Sequence, residues 1–226
     1  MRINEIRLLT NQLDCLQHFY RDVLKLTISS SSEQHISFTV GASMLTFVKT
    51  TEIQKPYYHF AFNITCSKFM QALEWLKQRN VAINTIDGEK FIYSKSWNSH
   101  SVYFYDTAGN IVEFIARYNL SHQKDSTQFS SSDILNISEI GLASEDVLVL
   151  SKYLQGKYAL EIFLDGNSIF IPIGNEEGLF ILSSRNRNWL GSNKAVDIFP
   201  LEIVIKHEHI SSERLLDYPY TITTIK

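Results

Sequence analysis

Polar and apolar positions along the chain divide it into short elements that recur in a fixed order. Residues 3–10, INEIRLLT, begin as a strand, and Thr10 or Asn11 then offers a side-chain oxygen to cap a helix. In that helix Leu13, Leu16, Tyr20, Val23 and Leu24 recur at three- and four-residue steps, a buried stripe. A serine-rich polar stretch follows, and HISFTVG and SMLTFVKT flank Gly41 and Ala42 as a tight pair of strands. The order then returns. YYHFAFNI reads as a strand, Ser67 as a cap, and Phe69, Ala72, Leu73, Trp75 and Leu76 as the stripe of a second helix. A short strand near Phe91, HSVYFY, the turn DTAGN and NIVEFIAR complete this unit, since Asp106, Gly109 and Asn110 tolerate the backbone angles of a turn. Residues 1–120 therefore read as one domain of two βαβββ units.

Residues 121–135, SHQKDSTQFSSSDIL, have no period and read as a polar linker. Beyond it NISEIGLAS at 136–144 echoes RINEIRLLT at 2–10, which places Glu139 where Glu5 stands. A helix with Val147, Leu150, Tyr153 and Leu154 follows, then SIFIPIGNEEGLFILS as a strand pair about a glycine, then FPLEIVIKH and YTITTI. Nothing matches the second helix or the DTAGN hairpin, so residues 136–226 are expected to form a truncated copy of the module. The predicted class is α+β. NRNWLGS at 186–192 reads as a surface turn, with a loop over a cavity as the other reading.

Composition narrows the function. Hydrophobic residues make up 44%, charged ones 20%, and the formal net charge is −3. That balance offers no basic surplus for a nucleic-acid backbone. No run approaches a membrane span and MRINEIRLLT lacks a secretion signal, so a cytoplasmic protein is expected. Cys15 and Cys66 are too few for a disulfide framework and read as reduced packing residues. Glycine-rich phosphate loops and a G-x-S-x-G nucleophile motif are both missing from the sequence.

Three strand residues carry candidate chemistry. His59 shares a strand face with Tyr57, Ala61 and Asn63, Glu5 with Arg7 and Leu9, and Glu113 with Ile115 and Arg117. Two carboxylates and an imidazole would suit a divalent ion. A hydrogen-bonded core histidine and a solvated Glu5 beside Arg7 are the alternatives, whereas Glu113 stands in an otherwise apolar strand and needs a partner or a cation.

FYRDVLKL after the first strand, YYHFAFNI, and VYFYDTAGNIVEFIAR resemble, in order, the vicinal oxygen chelate superfamily, which includes glyoxalase I, fosfomycin-resistance transferases, extradiol dioxygenases and bleomycin-resistance proteins. D-x-x-G-N-x-x-E-F is the most specific part, and residues 1 to 118 are covered. The resemblance implies paired βαβββ modules curled into a half-barrel around a metal, with Glu5, His59 and Glu113 as ligands. It implies a metal-dependent lyase, transferase or dioxygenase acting on a small oxygen-bearing molecule, with Glu113 or Glu5 moving a proton. Glu5 stands where such members usually carry histidine, which disfavours Fe(II) oxygenase chemistry; Mn, Zn, Mg or Ni, Fe in another role, or no metal at all are the readings left open. Arg7, Trp97 and Arg117 are the candidate substrate contacts, and His100 is a further candidate near the cavity mouth. A non-catalytic antibiotic-binding protein is the alternative. The truncated copy is expected to cover a sheet edge, extend the cavity or serve a homodimer interface.

Overall fold

The computed structural model describes residues 1–120 and 128–226. Of the expected linker, 121–127 lie outside the described residues; among those described, Phe129 is buried against Trp75 and Ser130 caps a short turn at Ser131–Asp133.

The first unit is β1 (Ile3–Thr10), α1 (Leu13–His18), β2 (Thr27–Ser31), β3 (His35–Val40) and β4 (Ser43–Lys49). The second is β5 (His59–Ile64), α2 (Phe69–Gln78), β6 (Ile92–Ser94), β7 (Ser99–Tyr105) and β8 (Ile111–Arg117). A third follows as β9 (Ile134–Ser144), α3 (Val147–Tyr158), β10 (Phe170–Asn175) and β11 (Gly178–Ser184), with Ile162 bridging to Ile173 beside β10. The fourth, without a helix, is β12 (Leu201–Lys206), β13 (Ser211–Arg214) and β14 (Tyr220–Ile225). The chain is thus built of βαβββ modules and curtailed copies of them.

Two seven-stranded sheets result, ordered β13-β14-β12-β1-β4-β3-β2 and β10-β11-β9-β5-β8-β7-β6. Each sheet joins two units through their first strands, which run antiparallel: β1 beside β12, and β5 beside β9. The first two units are therefore not partners of one another. Unit one completes its sheet with unit four, and unit two with unit three. The second sheet curls into a half-barrel, and its hollow holds the candidate site.

β5 shows why the site sits there. Phe60 and Phe62 point into the main core with Phe114, Ile140 and Leu142, while His59, Ala61 and Asn63 take the opposite face. All six residues are buried, so polar groups on the hollow side must find partners. The DTAGN turn fixes β5 against β8: Asp106 accepts from the Asn110 side chain at 2.8 Å, and Asn110 Oδ1 accepts from the Tyr58 N–H at 2.9 Å. Gly109 takes φ of 86°, a backbone that favours glycine. Tyr20, from a wide turn continuing α1, donates to Asp106 at 2.8 Å and ties the first unit to this corner.

Local details differ from expectation at helix entrances. Gln12 precedes α1 without a side-chain cap, its N–H bonded instead to Thr10 Oγ1 at 3.0 Å. α2 is entered through a tight turn at Cys66–Lys68, where Lys68 is buried against Asp133 at 2.9 Å. Neither cysteine is disulfide-bonded, and Cys15 is exposed, not a packing residue.

Candidate metal centre

Ala61 is the centre of the site because of its neighbours. It faces Glu113 across the parallel pair with β8 and Glu139 across the antiparallel pair with β9. A methyl group there leaves room between two carboxylates, and His59, two residues earlier on the same face, closes the third side. His59 Nε2 lies 3.8 Å from Glu113 Oε2 and 3.9 Å from Glu139 Oε2. The three ligand atoms lie within 4.8 Å of one another, and all three residues are buried. These separations are too long for hydrogen bonds but near the span of two ligands on one ion, at most about 4.2 Å for bonds of about 2.1 Å. His59 Nδ1 stands 3.3 Å from the Ile111 carbonyl, which suits a proton on Nδ1 and leaves the Nε2 lone pair aimed at the carboxylates.

Two buried carboxylates side by side repel, and this fold compensates one of them. Arg117, wholly buried, donates through Nη2 to Glu139 Oε1 at 2.5 Å and through Nε to Ser138 Oγ at 3.3 Å. Its guanidinium lies 5.1 Å from the Trp97 ring, so charge and aromatic wall hold each other. Among the described residues no such cation is in contact with Glu113. Burial, with the Glu139 carboxylate adding to it, pushes the Glu113 carboxyl up to about 7. Tyr103, which lines the same cavity, is pushed up by burial and by both carboxylates, and keeps its proton.

A cavity of about 400 Å³ opens above the triad, lined by Trp97, Tyr103, Phe170, Ile181, Ser183, Arg187 and Trp189 among others. The segment carrying NRNWLGS crosses it, and is no plain surface turn. Trp189 lies over His59 with ring centres 5.3 Å apart, and its indole fits only because position 141 is glycine: an added Cβ would stand 2.5 Å from it. The segment is tethered by Tyr57 to the Ala195 carbonyl at 2.9 Å and by Asn84 to the Gly191 carbonyl at 2.8 Å.

The structure does not bring Glu5 to His59 and Glu113. β1 belongs to the other sheet, and the first strand beside β5 is β9, so Glu139 occupies the place expected of Glu5. Register shows what became of the matching position in the first sheet. Arg7 stands where Ala61 does, flanked by Thr46 and Glu202 in place of Glu113 and Glu139, with Glu5 in place of His59. Arg7 Nε and Nη2 each lie 3.0 Å from a Glu5 oxygen and Nη1 lies 3.4 Å from Glu202, while Thr46 donates to Glu5 at 2.7 Å. A guanidinium thus supplies the positive charge that the other hollow leaves to be filled. Arg7 lines that separate hollow with Glu5 and makes no contact with the triad cavity. Trp97 does line the triad cavity; Arg117 lies behind it, on Glu139. His100 packs instead among Phe69, Tyr93 and Tyr118.

Comparison with known proteins bears on these residues. A family model described as the Glyoxalase/Bleomycin resistance protein/Dioxygenase superfamily matches residues 2–114. Metallothiol transferase FosB of Staphylococcus haemolyticus is 31% identical over 117 residues, 49% of this chain and 80% of that protein. The Staphylococcus saprophyticus FosB is 29% identical over 117 residues, 49% of this chain and 74% of its own. Along the whole chain, the structure of a presumed dioxygenase from Bacillus subtilis superposes with a TM-score of 0.67 at 14% identity, covering 99% of this chain and 85% of that one. That last likeness is one of fold. Glu139 lies beyond the residues that the family model covers.

Proposed function

We propose a function on the premise that this chain belongs to the Glyoxalase/Bleomycin resistance protein/Dioxygenase superfamily. The chain is a metal-dependent enzyme of the vicinal oxygen chelate type, acting on a small oxygen-bearing molecule in the hollow of the second sheet. The observation that carries this reading is the buried group His59, Glu113 and Glu139 at the floor of a cavity. Its donors, one nitrogen and carboxylate oxygens, suit Mn, Zn, Mg, Ni or Fe(II). All three come from one chain, so no second copy is needed to complete the set.

A divalent ion held there would supply Lewis-acid stabilisation to a substrate oxygen that gains negative charge. The remaining work belongs to the protein. Glu113, on the floor of the cavity, is placed to take a proton from the substrate and return it if its carboxylate loosens from the ion. Arg117 fixes Glu139 through one oxygen and leaves the other directed at His59. Trp189 packs over the His59 imidazole, and Trp97 forms an aromatic wall for the bound molecule. No helix among the described residues is long and apolar enough to cross a membrane, and a cytoplasmic location accords with this reading.

The test is ion binding by untagged protein. Wild type should take up one equivalent of Mn²⁺, Zn²⁺, Ni²⁺ or Fe²⁺, and Glu113→Ala should take up none. Failure to bind any of the four would move the assignment to a binding protein that sequesters its ligand without turnover. Arg117 already balances Glu139, so the cavity can stand without an ion.

A further inference from the structure

The triad cavity has a second polar region that metal binding does not use. Arg187, half-buried on the segment after β11, lines the cavity and lays its guanidinium 5.4 Å from the Phe170 ring. Its Nε donates to the Asn188 carbonyl at 3.2 Å. Among the described residues no carboxylate pairs with it, in contrast to Arg185 nearby, which is held by Glu145 at 2.6 Å and Asp197 at 3.1 Å. Burial without a countercharge pulls the Arg187 guanidinium below its ordinary range.

Ser183 lies on the same wall. It is 1% exposed, lines the cavity, and its Oγ has no hydrogen-bond partner. Its cross-strand neighbour is Phe170, the ring under Arg187. A hydroxyl and a guanidinium are therefore gathered about one aromatic face, and both have donors to spare. Unpaired buried donors cost stability unless something accepts from them.

We propose that Arg187, Ser183 and the ring of Phe170 form a subsite for the anionic group of a small, flat organic acid. Charge supports this. In formal charge the two carboxylates Glu113 and Glu139 are matched in number by Arg117 and Arg187, though only Glu139 is in contact with an arginine, so a divalent ion on the triad would leave the cavity net positive. An acid whose carboxylate meets Arg187 and whose adjacent oxygens reach the triad would satisfy both ends, with its ring against the aromatic wall that Trp97 and Phe170 share. The inference rests on the metal reading only for that second attachment.

Calorimetric titration with salicylate and with its neutral amide, salicylamide, tests it, using wild type with and without Mn²⁺. Metal-free wild type should bind salicylate at least about tenfold more tightly than salicylamide, the worth of a charge-assisted hydrogen bond. Arg187→Gln should remove that preference and leave Mn²⁺ binding intact, while Arg185→Gln should change neither. Salicylate affinity should fall as salt rises. Equal affinity for the two probes, or an unchanged preference in Arg187→Gln, overturns the subsite. If no ion binds but the Arg187-dependent preference is present, the metal reading fails and the subsite stands.

Discussion

Glu113→Gln isolates the energetic cost of keeping the triad without an ion. The carboxyl ordinarily titrates at 4.5 and in the fold at about 7, because it is buried and faces Glu139. Below pH 4.5 it is neutral folded and unfolded, and burial costs nothing in protonation. As pH rises, the unfolded chain gives up its proton while the fold retains it, so stability is lost steadily until pH passes about 7. At about 1.4 kcal/mol per pH unit the loss reaches about 3 kcal/mol. Glutamine has nearly the same shape and no proton to lose. Metal-free Glu113→Gln should therefore gain about 3 kcal/mol on wild type between pH 4.5 and pH 8, a relative rise in Tm of about 6 to 12 °C for a chain of this size. Scanning calorimetry of chelator-treated proteins across that range reads the difference, since titrating groups remote from the triad are shared and what is measured belongs to Glu113 together with the neighbours it is coupled to. A difference that stays level within about 1 kcal/mol would show that the carboxyl is not held as described. Adding an ion should reverse the trend, because binding needs the carboxylate and expels the proton.

Three other outcomes follow from the same geometry. Glu139→Gln should weaken ion binding at least about a hundredfold, whereas Glu5→Gln should leave it unchanged, as measured by competition with a metal indicator dye. Gly141→Ala places a methyl group against Trp189, and should cost about 1 to 3 kcal/mol by denaturant unfolding and make the indole more accessible to acrylamide quenching. Lys68→Met removes one buried partner of Asp133, which keeps its bonds from Thr65 and Ser130, and should cost about 2 to 4 kcal/mol on the same unfolding curve.

The units themselves were legible because aromatic and branched runs, turn residues and helical stripes are local signals. β5 and β8 are buried on both faces and show no alternation, yet their β-branched and aromatic content marked them. β2, TISSS, was hidden for the opposite reason: it is a sheet-edge strand, nearly all exposed, and its serines read as loop. His59 and Glu113 could be found because each interrupts an apolar strand. Glu139 was visible as the counterpart of Glu5, but choosing between them required knowing which first strand lies beside β5. That is a pairing between remote segments, and nothing near either glutamate encodes it. Arg187 gave no signal at all, since an arginine in a polar turn looks like any other until three dimensions show that no carboxylate among the described residues pairs with it.

The exchange of partners between units bears on how the chain reaches its native state. Ile3 lies opposite Ile205, so one sheet cannot close until almost the entire polypeptide is available. Such remote contacts carry a large loop-closure entropy before they return anything, which makes for slow folding. A fragment cut between β8 and β9 would leave the open flanks of β1 and β5 without their natural neighbours. The two pieces, expressed separately, should therefore be sticky alone and reassemble when mixed.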